Sequence, residues 1–157
     1  LGAERAQLLD RCGTAQSAGM VVTLHSDNNV SPLGPLRYME QAITRRMERA
    51  PQDGSQYLNP QESLTADQAL KAITLNAAWQ CQAEQHVGSL EEGKLADFVL
   101  LAENPLTWNE SHGSFVGLRD IEIEETWVGG KKLYSRAESV AESVSKQLQK
   151  KLMAAPA

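Results

Sequence analysis

The sequence predicts a mixed α/β protein, and three observations support that prediction. Amphipathic helix patterns fill most of the first half of the chain. One short run, Met20-Val21-Val22-Thr23-Leu24, is almost wholly apolar, as a strand buried on both faces must be. After Val87 the pattern turns to short strands and glycine turns, ending in Gly129-Gly130, which suits a tight hairpin. At 157 residues, 41% hydrophobic and 22% charged, the chain has room for one domain with a real core or two small units sharing one.

Residues 2–17 read as a helix, with Leu8, Leu9, Cys12 and Ala15 along one side and Gly19 placed to stop it. The apolar run 20–24 ends abruptly at His25-Ser26-Asp27-Asn28-Asn29, five polar residues in succession. A buried strand that ends in a polar cluster is where α/β barrels keep their chemistry. Pro32, Gly34 and Pro35 then break the chain. A helix over 36–47 follows, with Leu36, Met39, Ile43 and Met47 at i, i+3/i+4 spacing. Residues 50–61, with Pro51, Asp53, Gly54, Asn59 and Pro60, are loop. Thr65-Ala66-Asp67-Gln68 is a capping box opening a helix that carries Leu70, Ile73, Ala77 and Cys81 inward.

Gly88 and Gly93 bracket a turn, and 96–101 is a strand closed by Asn104-Pro105. Residues 108–117 are polar and irregular. Along 121–128, Ile121, Ile123 and Trp127 alternate with Glu122, Glu124 and Thr126, the mark of a strand with one wet face, and the hairpin leads into 131–134. The tail, 137–153, is a helix with Val140, Val144, Leu148 and Leu152 in a narrow stripe opposite Lys146, Lys150 and Lys151. That stripe either covers the body of the same molecule or forms a dimer contact. The chain therefore divides into 1–86, 87–135 and 136–157.

A formal net charge of −5 removes the electrostatic case for nucleic acid or an anionic membrane as partner. No apolar run approaches the roughly 18 residues of a membrane helix. Residues 1–10 carry Glu4 and Arg5 and have no apolar signal core. The chain starts at Leu1, not Met, as if a segment before it were removed or not included, so the absence of a targeting segment leaves the compartment open between cytoplasm and periplasm; a soluble protein is expected. Cys12 and Cys81 lack CxxC spacing and are expected to be two buried free thiols.

His25 and Asp27 are both potential metal ligands, and an aspartate at the carboxyl end of a barrel strand is placed to bind a cation and carry a proton. The competing reading is an Asx turn, in which Asp27, Asn28 or Asn29 bonds nearby backbone amides. His86 and His112 have no partner at ligand spacing and read as solvated loop histidines.

Four segments, in order, resemble one family. Leu24-His25-Ser26-Asp27 matches the end of the last barrel strand in the amidohydrolase-3 branch of the amidohydrolase superfamily. Residues 65–78 (TADQALKAITLNAA) resemble the helix near the end of those enzymes, and 87–101 (VGSLEEGKLADFVLL) the segment that follows. Residues 125–134 (ETWVGGKKLY) look like the closing hairpin. The branch includes N-substituted formamide deformylase-like enzymes, and some members are described as exoenzyme regulatory proteins.

The resemblance implies the C-terminal end of a TIM-type (β/α)8 barrel, part of a small antiparallel sheet of the composite kind, and a helix beyond it. It implies that Asp27 is a ligand of a catalytic divalent metal, zinc, and takes a proton from the attacking water. His25 and Ser26 then shape the substrate side, while Gly93, Asp97 and Gly130 are structural: glycines for turns, Asp97 capping amides at a strand entrance, and Ala96 small where helix and strand approach. The substrate is a small molecule with an amide, formamide or cyclic amide bond. The family's remaining ligands, a His-x-His pair, a carboxylated lysine or acid and two later histidines, have no counterpart among His25, His86 and His112. The chain by itself is therefore expected to be inactive and to hold no metal stably. The alternative is a non-catalytic binding or regulatory module derived from the same fold. Asn28-Asn29 stands where the branch has a small residue or tryptophan and then proline, which loosens the link to a substrate class. In the family the sheet also contains N-terminal strands, so a homo-oligomer through an exposed sheet edge or the C-terminal helix is expected.

Overall fold

A computed structural model describes residues 2–28, 30–51, 53 and 55–153. The helix expected over 2–17 is two short ones, α1 (Ala3–Ala6) and α2 (Cys12–Ser17), separated where Asp10 takes a φ of 49°. The break lets α2 turn onto the 3-10 turn Pro60–Glu62, where the Glu62 carboxylate accepts the Thr14 amide (2.7 Å) and hydroxyl (2.6 Å). Gly13 makes that approach possible, because a Cβ there would lie 2.9 Å from Gln61 O and Glu62 Cα. Gly19, with φ 77°, ends the segment as expected.

Residues 20–24 form no β-ladder, contrary to expectation. A parallel strand needs neighbours on both edges, and the described strands all lie in one antiparallel sheet elsewhere. Side chains of a later helix bond the segment instead: Asn76 Nδ2 donates to Val22 O (2.9 Å), and the Thr23 hydroxyl donates to Gln80 Oε1 (2.6 Å). Val22 is buried while Met20 and Val21 are exposed.

Helix α3 (Pro35–Thr44) opens with Pro35 in its first turn, where a missing N–H costs nothing. It ends three residues earlier than expected, because Arg45 adopts φ 54°. Met47 accordingly leaves the apolar stripe and is exposed, bonding Gln56 O through its amide instead. Met39 and Ala42 are buried, with Leu36 and Ile43 packed around them. The Arg45 guanidinium is buried and donates to Leu9 O (2.6 Å), Asp10 O (2.9 Å) and Leu58 O (2.9 Å).

The capping box is present as expected: Thr65 Oγ1 accepts the Gln68 amide (3.2 Å) and Gln68 Oε1 accepts the Thr65 amide (2.9 Å). The helix it opens is broken, into α4 (Ala66–Ile73) and α5 (Leu75–Gln80), at Thr74 (φ −124°, ψ −95°). Thr74 donates its hydroxyl to Leu70 O (2.7 Å), so a side chain stands in for part of the interrupted ladder. The break redirects the second half, and Cys81, just past α5, is exposed, not inward. Both cysteines are free; Cys12 is half-buried, and burial pushes its thiol above the ordinary range.

Past Gly88 (φ 93°) the chain enters a three-stranded antiparallel sheet of order β1 (Phe98–Leu101), β2 (Ile123–Val128), β3 (Lys131–Ser135). Both hairpin glycines have positive φ, 56° and 75°, as a two-residue loop requires. Asp97 is structural, its carboxylate accepting the Gly129 amide (2.6 Å), and Ala96 Cβ lies 3.9 Å from where a Cβ on the hairpin residue Gly130 would stand. Phe98 and Trp127 stack across the strands at 5.6 Å. Ile123 is exposed, not inward, because the register shifts beside it, between Leu100 and Leu101.

The segment 108–117, expected to be irregular, begins with a short helix α6 (Trp108–His112). Trp108 is buried in the core and its ring stacks on His112, centroids 3.5 Å apart, so His112 is not a free loop histidine. One core joins Val22, Met39, Leu64 and Ala69 to Trp108, Leu118 and Ile121. An ion pair ties the two halves further: Glu40 on α3, 2% exposed, meets Arg119 in the 3-10 turn Leu118–Asp120. Helix α7 (Arg136–Met153) follows β3 directly, and Arg136 pairs with Glu122 and Glu124 of the β2 region. Val140 is exposed, while the stripe residues Val144, Leu148 and Leu152, with Lys150 and Lys151, have side chains outside the described residues. No helix is long and apolar enough to cross a membrane among the described residues.

Candidate functional site

The polar cluster after Leu24 forms a tight turn, and its hydrogen bonds decide which groups are free. Asp27 (φ 56°) and Asn28 (φ 51°) both occupy the left-handed region, which Asp and Asn tolerate better than other side chains. Two consecutive residues in that conformation turn their amides back along the chain. His25 Nδ1 accepts the Asp27 amide (3.1 Å) and Ser26 Oγ accepts the Asn28 amide (3.1 Å). Ser31 closes the loop, its amide (3.2 Å) and hydroxyl (3.1 Å) both donating to Ser26 O.

This arrangement differs from the Asx turn weighed above. The acceptors are His25 and Ser26, and the carboxylate of Asp27 accepts no hydrogen bond among the described residues. Asn29, the other half of the unusual Asn-Asn pair, lies outside the described residues. Asp27 and His25 are exposed and Ser26 is buried, and all three line one cleft of about 540 Å³. A free carboxylate at the rim of a cleft can accept a proton or bind a cation, whereas one saturated by backbone amides can do neither readily.

The far wall comes from α3 and α2. Tyr38 and Gln41 lie at i and i+3 on one face of α3, Arg45 stands just past its end, and Cys12 and Asp10 border them. Sequence reasoning passed over Tyr38 and Gln41, although that helical spacing of polar residues beside the Met39 stripe was visible. Tyr38 is held by the Gly34 amide, which donates to its hydroxyl oxygen (3.0 Å), leaving the phenolic proton available. Arg45 is spent on three carbonyls, so it offers the cleft positive charge without a free donor array. His86 and His112 lie outside this cleft.

The metal-ligand reading can be tested on this donor set. Among the described residues no group of three or more His, Cys, Asp or Glu is placed to hold a metal ion. One carboxylate and one imidazole, its Nδ1 already engaged, fall short of the three protein ligands a catalytic zinc keeps. No metal-dependent step is therefore assigned to these residues by themselves.

Comparison with known proteins places the chain in one family. The pattern of the family described as "Amidohydrolase family" matches residues 1–134. The chain is 35% identical to Protein LONG AFTER FAR-RED 3 of Arabidopsis thaliana, over 73% of this chain and 18% of that protein. It is 32% identical to N-substituted formamide deformylase of Arthrobacter pascens, over 78% of this chain and 21% of that one. Among solved structures, guanine deaminase from Bradyrhizobium japonicum aligns with a TM-score of 0.57 at 21% identity, over 80% of this chain and 34% of that one. An amidohydrolase from Thermotoga maritima MSB8 aligns with a TM-score of 0.52 at 23% identity, over 80% of this chain and 26% of that one. These structural likenesses speak for the fold. The chain spans about a fifth of the length of the curated relatives it matches.

Proposed function

Because the chain belongs to the amidohydrolase family, we propose that it forms one wall of the active site of a metal-dependent hydrolase that cleaves a C–N bond in a small amide, formamide or cyclic amide. The observation that carries this reading is the unbonded carboxylate of Asp27 at the rim of the cleft, with His25 and Ser26 on the same rim. Asp27 takes a proton from the attacking water and returns it to the departing amine. His25 and Ser26 flank the substrate. A divalent metal, zinc, would supply the Lewis acidity, with Asp27 as one ligand and the others from residues absent from this chain.

The architecture follows the same reading. In the whole protein, residues 20–24 pair as the last strand of a (β/α)8 barrel, and 1–86 close that barrel. A full barrel takes about 250 residues, which fits a chain covering only a fifth of its relatives' length. Residues 87–135 contribute strands to a composite sheet, and 136–157 add a helix. The outer edge of β1, with Val99 and Leu100 exposed, or the surface of α7 brings copies together. Light scattering on the purified chain checks this, and a strict monomer at high concentration refutes it.

The test of function is Asp27→Asn in the product of the whole reading frame. It is expected to lower kcat on an N-substituted formamide by about 10²–10⁴-fold, the usual worth of a positioned acid–base group, with thermal unfolding unchanged. A near-normal kcat removes Asp27 from the chemistry. The 157-residue chain alone is expected to show no turnover and weak zinc binding in equilibrium dialysis. Clear metal-dependent turnover by it overturns the reading, and a whole protein without hydrolytic activity favours a binding or regulatory module.

A further inference from the structure

The hydrogen bond that shapes the Asp27 turn also decides what His25 is able to do. Its Nδ1 lies 3.1 Å from the Asp27 amide, which can only donate, so Nδ1 must present its lone pair. In a neutral imidazole the proton then sits on Nε2. Nε2 has no partner among the described residues, and the ring is exposed on the cleft. We propose that His25 is a hydrogen-bond donor to the substrate's acceptor oxygen, not a metal ligand: Nδ1 is committed to the turn and Nε2 carries the proton. A ligand nitrogen needs a free lone pair, and this ring has none while the turn is formed.

Two roles are thereby linked through one ring. Nδ1 positions Asp27 by stabilising a left-handed turn, and Nε2–H offers the cleft a donor of fixed direction. That second role makes His25 selective for substrates presenting an unprotonated oxygen, such as a carboxamide or formamide carbonyl, and rests on the function proposed above. Ser26 has the complementary freedom, because its oxygen accepts the Asn28 amide while its hydroxyl proton has no partner among the described residues.

The roles separate by substitution, because the amide oxygen of asparagine occupies roughly the place of Nδ1 and nothing in asparagine reaches the place of Nε2. The first measurement is the ¹⁵N spectrum of the imidazoles in the labelled chain at alkaline pH, where histidine is neutral. The expected spectrum has Nε2 of His25 protonated and Nδ1 unprotonated; the opposite tautomer overturns the proposal. Added zinc ion alone is expected to leave that pattern intact, and a ligand-type shift at Nε2 of His25 overturns it as well. His25→Asn is expected to keep the slow exchange of the Asp27 amide, which His25→Ala loses. In the whole enzyme His25→Asn is expected to reduce kcat/KM for a formamide roughly 10²-fold, the order seen when one preorganised donor is removed. Full activity with the turn intact overturns the donor role. If the whole protein hydrolyses no C–N bond, the functional reading fails, and the spectrum still decides the tautomer.

Discussion

The Glu40–Arg119 pair is the sharpest test of how the two halves of this fold are joined. Glu40 is 2% exposed and its carboxylate accepts three bonds from one residue: the Arg119 amide (3.0 Å), Nε (2.9 Å) and Nη2 (2.7 Å). Glu40→Gln keeps the volume but replaces one acceptor oxygen with an NH₂ that faces guanidinium donors. Removing one partner of a buried pair costs about 3–5 kcal/mol. Arg119 is 21% exposed and also pairs with Glu48, so it keeps one carboxylate and some water, and the expected loss is about 2–3 kcal/mol. For a chain of this size that is a fall in Tm of roughly 5–10 °C. Near-ultraviolet circular dichroism during heating reads it directly, because Trp108 lies in the shared core. The double variant Glu40→Gln/Arg119→Met is expected to be less destabilised than the sum of the two singles, by about 1 kcal/mol or more. A single-variant midpoint within about 1 °C of the parent refutes the argument, since ~0.3 kcal/mol is the worth of an idle surface pair.

Two further outcomes follow from local geometry. Gly88→Ala forces a left-handed φ of 93° on alanine and puts its Cβ 2.6 Å from Ala78 Cβ, whereas Gly93→Ala meets only the backbone strain at φ 91°. The first is expected to cost roughly 2–4 kcal/mol and the second about 1–2 kcal/mol in urea unfolding, and equal costs would remove the close contact from the account. The Thr14 hydroxyl and amide, and then Arg11, hold the Glu62 carboxyl below the ordinary range. A carboxyl depressed in the folded state binds fewer protons there than in the unfolded state, so its contribution is present above the unfolded pKa and is lost as pH falls through the folded one. Tm measured downward from pH 6 is therefore expected to fall more steeply in the parent than in Glu62→Gln, and parallel curves would dismiss the linkage.

Elements specified by neighbours in sequence were legible before the structure. The Thr65–Gln68 box, the Gly129-Gly130 hairpin and the Gly19 stop each depend on a few adjacent residues, and all are present. What depends on distant partners was not. The run 20–24 has the composition of a buried parallel strand, but its ladder needs strands not found among the described residues. Helix α3 stops at Thr44 because the Arg45 side chain reaches three carbonyls, a gain invisible to periodicity. Thr74 interrupts a regular apolar stripe, and Trp108 was hidden in a polar stretch because the core it fills draws on residues as distant as Val22, Met39 and Leu64. At the candidate site, the residue types after Leu24 singled out a loop that lines the cleft. The exchange of hydrogen bonds that frees Asp27 and occupies His25 could only be read from the turn itself.

Arg45 closes the account from the opposite wall of the cleft. Its guanidinium reads peptide oxygens at Leu9, Asp10 and Leu58, and every amino acid supplies the same oxygen. Side chains at Leu9 and Leu58 are thus free to drift without loosening the clasp, with Asp10 constrained only by its φ of 49°, whereas the arginine itself has no substitute: a lysine ammonium lacks the planar fork that spans three acceptors at once. Tolerance and intolerance to replacement lie within one contact of each other, and the line between them is drawn by which partner lends its backbone and which its side chain.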